Sequence, residues 1–80
     1  MDPSPRVIVV GKPGCHLCVD ALPIVERVCA DLGVVWGEWS IFDDARLFDE
    51  YWDKIPVVLI DGEVHSIWRV DEAGLRRALA

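Results

Sequence analysis

Positive charge is scarce in this sequence. Eight Lys and Arg stand against fourteen Asp and Glu, and the formal net charge is -6. A nucleic-acid binder presents a basic face, so that class is excluded. Long hydrophobic runs are also lacking, and no stretch approaches the ~18 apolar residues of a membrane span. The opening MDPSPR has neither a basic segment nor an apolar core, so no export signal is expected. Cysteine is sparse and odd in number, with three in the chain. A secreted disulfide scaffold more often carries four, six or eight. The expected setting is therefore cytoplasmic, where a close cysteine pair serves redox or metal chemistry rather than stapling. Repeats, linkers and low-complexity segments are absent as well. The 80 residues suffice for one domain, 1–80. A chain of this size buries only about 60% of the surface its unfolded form exposes. What is present is a globular composition, 52% hydrophobic with four Trp.

Val7-Ile8-Val9-Val10 is an unbroken β-branched run, the pattern of an inner strand buried on both faces. Lys12-Pro13-Gly14 breaks it. From Cys15 to Leu32 the apolar residues recur at helical spacing: Leu17, Ala21, Ile24, Val25, Val28 and Leu32. Pro23 inside this helix should kink it, and Gly33 should stop it. Val34 to Ile41 reads as an edge strand, with Val35, Trp39 and Ile41 on one face and Glu38 and Ser40 on the other. Asp43-Asp44 should cap a second helix whose apolar stripe is Phe48, Tyr51, Trp52 and Ile55, with Leu47 alongside. Val57 to Ile60 is another buried strand. Asp61-Gly62 makes a tight turn into an antiparallel return, Glu63 to Trp68. Asp71 caps a last helix running to about Leu79. The order is β-α-β-α-β-β-α, with a parallel first pair of strands and a four-stranded mixed sheet flanked by three helices.

The chemistry centres on Cys15-His16-Leu17-Cys18. Cys15 falls where the helix begins, and the unpartnered backbone N–H groups and the helix dipole there favour a thiolate. Lys12 adds a cation nearby, and so does His16 if protonated. Cys18 lies one turn deeper on the same face. The asymmetry assigns roles, with Cys15 attacking a disulfide and Cys18 resolving the mixed disulfide. A zinc site would need further ligands from Cys29, His16 or His65. Cys29 is eleven residues beyond Cys18, roughly 16 Å along a helix axis, too far to share a metal or a disulfide. It reads as a small buried apolar residue. His65 reads as a surface residue of the return strand, and the tryptophans as packing.

Ile55-Pro56 opens the third strand, and an X-Pro bond is where a cis peptide is tolerated. With the cysteine pair, Pro23 five residues past Cys18 and the order of elements, these residues resemble the glutaredoxin-like branch of the thioredoxin superfamily over nearly the whole chain. The resemblance implies a thioredoxin-like α/β fold and a cis Pro56. It also implies that the Ile55 backbone pairs with a substrate's main chain. Lys12 matches a lysine that contacts the glutathione carboxylate in glutaredoxins, and Asp71 could face a ligand's amine. Leu17, Ile55, Pro56 and Asp71 form the expected substrate-contacting set.

The chain departs from glutaredoxins at two places. They usually carry Pro-Tyr where this chain has His16-Leu17. They have a Gly-Gly pair before an Asp where this chain reads Ser66-Ile67-Trp68-Arg69-Val70-Asp71. The expected function is a monomeric dithiol thiol–disulfide oxidoreductase acting on protein disulfides or glutathione mixed disulfides. No cofactor is required, glutathione is a candidate co-substrate, and the donor is glutathione or a thioredoxin-reductase-type enzyme. Two alternatives stay open. One is a non-catalytic binding module on the same scaffold. The other is metal or iron–sulfur binding through Cys15 across a dimer.

Overall fold

A computed structural model describes residues 4–80. The reading of the leader falls partly on residues 1–3, which lie outside these. The elements are β1 (Val7–Gly11), α1 (His16–Leu32), β2 (Trp36–Ser40), α2 (Ala45–Tyr51), β3 (Val57–Ile60), β4 (Glu63–Ile67) and α3 (Glu72–Leu79). The sheet order is β2-β1-β3-β4. β1 and β2 are parallel, with Val7 opposite Trp36, while β3 runs antiparallel to both β1 and β4. The expected four-stranded mixed sheet with three helices is what forms.

The two inner strands read as apolar runs because both their faces are covered. Alternate residues of β1 and β3 feed two clusters. Val7, Val9 and Val58 pack with Val25, Val28 and Cys29 of α1 and with Leu75 and Leu79 of α3. Ile8, Val10, Val57 and Leu59 pack with Cys18, Ile41 and Ile55 on the other side. Each fully buried aliphatic side chain contributes about 1.5–3 kcal/mol relative to exposure.

Local signals explain most boundaries. Gly33 ends α1 in a left-handed conformation, φ 67°, and the Val34 N–H donates back to the Cys29 carbonyl. Asp44 and Asp71 cap α2 and α3 by accepting from the Arg46 and Gly74 N–H groups. Asp61 and Gly62 both take positive φ, 52° and 86°, the geometry of a two-residue turn between twisted strands. The helix α1 runs unbroken through Pro23.

Two expectations are corrected. The stripe assigned to the second helix does not pack as one. α2 buries none of its own residues, Phe48 and Trp52 are exposed, and only Tyr51 packs against the core. Ile55 is buried but lies past the helix end. The residue before a proline is held extended, so the helix has to stop short of Pro56. The second strand also starts later than expected, at Trp36, because Val34 and Val35 complete the turn out of α1. Trp36 packs on the α1 side of the sheet, whereas Val35 and Trp39 are largely exposed.

Candidate functional site

The site is built where β1 runs into α1. Gly14 takes φ 77° and turns the chain so that Cys15 becomes the residue capping α1. The Cys15 Sγ accepts the Cys18 N–H at 3.3 Å, and the Cys15 carbonyl accepts the first helical bond, from Val19. A backbone donor therefore points at this sulfur, and the helix dipole adds partial positive charge there. Cys15 is half-buried and its thiol is free.

Cys18 sits below it at 6% exposure. Burial pushes the Cys18 thiol up to about 11, and hydrogen bonding with Cys15 adds to the rise. The backbone N–H and the charge of Lys12 pull the other way. Gly11 makes this packing possible, since a Cβ there would lie 3.0 Å from the Cys18 sulfur. Gly11 was not among the sequence-derived candidates. Its only signal is a glycine closing an apolar strand just ahead of a cysteine pair.

Lys12 lines a cavity of about 420 Å³ together with Cys18, Glu38, Trp39 and Asp43. Its charge and its backbone N–H act on Cys18, the deeper sulfur. His16 is exposed at the first helical position and makes no side-chain hydrogen bond among the described residues. Cys29 lies in the other core cluster at 1% exposure, and burial raises its thiol. His65 is exposed at an irregularity in the β3–β4 register. Among the described residues no three His, Cys, Asp or Glu side chains converge to hold a metal ion.

On the other side of the pair lies the loop before β3. The Ile55-Pro56 peptide is cis. The Ile55 side chain shares a core cluster with Cys15 and Cys18. Among the described residues the Ile55 N–H and carbonyl find no backbone partner. Asp71 is exposed, with its carboxylate engaged by the Gly74 N–H at 3.2 Å.

Trp68 also belongs to this loop, although it follows β4. Its backbone N–H is shared between the carbonyls of Lys54, 3.1 Å away, and Pro56, 2.9 Å away. Its indole Nε1 donates to the Asp53 carbonyl at 2.9 Å. The Arg69 N–H closes a three-residue turn onto the Ile67 carbonyl, and Trp68 at its centre has φ 68°. Such a turn at a residue other than glycine costs about 1–3 kcal/mol and persists only where the surroundings enforce it. The three bonds to the proline loop supply that enforcement. Leu17, 47% exposed, and Trp68 line the same groove of about 290 Å³.

The family described as Glutaredoxin-like domain (DUF836) matches residues 6–80. The chain belongs to this glutaredoxin-like family. The glutaredoxin-like domain is similar to uncharacterized proteins of Mycobacterium bovis and Mycobacterium tuberculosis. Each is 33% identical over 81 residues, covering 95% of this chain and 84% of the relative. Its fold is similar to that of Fasciola hepatica thioredoxin, with a TM-score of 0.63 at 20% identity, covering 91% of this chain and 75% of that one. It is also similar to the thioredoxin-like protein BC3987, with a TM-score of 0.56 at 24% identity, covering 94% and 97%. The fold, the family and the adjacent cysteines of this glutaredoxin-like domain support a redox-type function. No helix among the described residues is long and apolar enough to cross a membrane.

Proposed function

We propose that this glutaredoxin-like domain is a dithiol thiol–disulfide oxidoreductase. One observation carries the reading. Two free sulfurs sit one turn apart at a helix start, the outer one receiving a backbone N–H and the inner one buried.

The Cys15 thiolate attacks one sulfur of a substrate disulfide. A Cys15–substrate bond forms, and the first substrate sulfur leaves as a thiolate that takes up a proton. Cys18 then loses its proton to solvent, and its thiolate attacks the Cys15 sulfur. A Cys15–Cys18 disulfide forms, and the second substrate thiolate leaves and is protonated. Two electrons pass from the protein dithiol to the substrate. Two thiols of glutathione, or a reductase of the thioredoxin-reductase type, return them. Lys12, through its charge and its backbone N–H, favours the Cys18 thiolate that the second step requires. The substrate chain lies along the Ile55 backbone, which has no backbone partner among the described residues, as a short added strand. The cytoplasm, which keeps thiols reduced, suits this chemistry.

The test is reduction of a glutathionylated peptide and of a protein disulfide, each with glutathione or with thioredoxin reductase as donor. At least one pairing turns over, and Cys15→Ser lowers its rate by about a hundredfold or more. If Cys15→Ser matches the wild type, the proposal fails.

A further inference from the structure

The exchange steps above use no residue of α2, and α2 buries none of its own side chains. The Trp52 N–H donates to the Phe48 carbonyl, so these two aromatic residues lie one helical turn apart on one face. They are 57% and 43% exposed. Phe42, also exposed, packs against Phe48 with ring centroids 6.1 Å apart. Next to them a groove of about 470 Å³ is lined by Trp39, Asp43, Asp44, Arg46 and Leu47. Contiguous apolar surface with a polar rim marks an interaction site, unlike singly scattered apolar residues.

The charge around this patch says what covers it. Residues 42–53 carry five carboxylates, Asp43, Asp44, Asp49, Glu50 and Asp53, against the one guanidinium of Arg46. That is a net charge of -4 out of the chain's -6. Asp43 and Asp44 accept the Ser40 and Arg46 N–H groups, which fixes both carboxylates at the groove. Asp49 and Glu50 form no ion pair among the described residues. A second copy of this face would bring like charges together, and so would an anionic membrane or a nucleic acid. An arginine gains twice, since it pairs with carboxylates and lies flat on aromatic rings.

We propose that this acidic aromatic face docks a partner protein through a basic segment in which arginines flank bulky apolar residues. The arginines meet the carboxylates and the rings of Phe42, Phe48 and Trp52. An apolar side chain of the segment enters the groove lined by Trp39 and Leu47. No covalent bond forms or breaks. The proposal does not rest on the oxidoreductase reading, and it holds whether or not Cys15 reacts.

The experiment titrates the full-length protein into a short fluorescent peptide of Arg-Leu-Leu-Arg repeats, read by anisotropy. Two control peptides replace every Arg by Glu or every Leu by Ser. The Arg-Leu peptide should bind at least about tenfold tighter than either control, because each control loses one of the two kinds of contact. Phe48→Ser/Trp52→Ser should weaken it about tenfold, and Asp49→Asn/Glu50→Gln about fivefold, the latter effect fading as salt is raised. Glu26→Gln/Glu63→Gln removes two exposed charges elsewhere and should change the affinity by less than about twofold. In a heteronuclear NMR spectrum the indole N–H signals of Trp39 and Trp52 should move on adding peptide, while that of Trp36, packed on the α1 side of the sheet, stays. Equal affinity for the three peptides would overturn the proposal, and so would undiminished affinity in Phe48→Ser/Trp52→Ser. An equal loss in Glu26→Gln/Glu63→Gln would reduce the binding to bulk charge and overturn it too. So would a dimer in sedimentation that Phe48→Ser/Trp52→Ser breaks, because a second copy then covers the face. Should the aromatic variant not fold, as read by circular dichroism, Asp49→Asn/Glu50→Gln decides. If the protein reduces no disulfide yet binds the peptide in this way, the oxidoreductase reading falls and the docking face stands.

Discussion

One helix carries Cys18 and Cys29 and is capped by Cys15, so the two ends of α1 can be compared directly. At the N-terminal end the cap sulfur is half-buried, receives a backbone N–H and lies by the loop where Ile55, among the described residues, has no backbone partner. At the C-terminal end Cys29 is enclosed by Val25, Val28, Leu75 and Leu79. That end is tied to α3 by two ion pairs, Arg27 with Glu72 and Asp31 with Arg76. In the proposed reaction the side chain at one end is the reagent, while the same side chain at the other end is packing material. Position relative to the helix terminus makes the difference, since burial disfavours the charged form that reacts.

The comparison breaks if the sulfurs react alike. Native alkylation at neutral pH should label Cys15 at least about a hundredfold faster than Cys18 or Cys29, read by peptide mass spectrometry. Cys18 should gain reactivity only as the pH climbs toward about 11, because burial holds its proton. Equal labelling of Cys15 and Cys29 would remove the distinction between the two ends.

A smaller effect is expected from Gly11→Ala. The new Cβ would crowd the Cys18 sulfur and Cβ, at 3.0 and 3.1 Å, so Cys18 must shift by tenths of an ångström. Overpacking of this kind costs about 1–3 kcal/mol. The variant should unfold at lower denaturant and slow the resolving step, while Cys29 stays protected. Unchanged stability and resolution would mean that Gly11 is not needed for the fit.

The smallest effect belongs to the far end. Arg27 and Arg76 hold the Glu72 carboxyl at about 2, below its ordinary 4.5. Its folded value is depressed, so the unfolded chain binds the proton more readily. The stability this adds is present above about 4.5 and is lost as pH falls toward 2. The side chains of these ion pairs keep about a third or more of their surface in solvent, which keeps the contribution small. Glu72→Gln should flatten the acid melt in that window and leave Cys15 reactivity untouched. A change in the cysteine chemistry would couple the two ends.

Much of this was legible in the residues. The apolar runs at 7–10 and 57–60, the caps Asp44 and Asp71, and Asp61-Gly62 are local signals, and each forms what it encodes. Cys15 and Cys18 could be placed because a helix start defines its own surroundings. The α2 stripe misled because periodicity says which side chains could be buried together, not what covers them. Trp68 was hidden for another reason. Its φ is enforced by bonds to Lys54 and Pro56, which no short window of sequence contains. Gly11 is visible as a glycine, but its contact with Cys18 exists only after α1 folds back over β1.

The most direct measurement is intact-mass analysis of Cys18→Ser after mixing with a peptide disulfide. The account predicts a stable adduct of one peptide, located on Cys15 by digestion and released by reductant, with no adduct in Cys15→Ser. An adduct on Cys29, or none in Cys18→Ser, would contradict it.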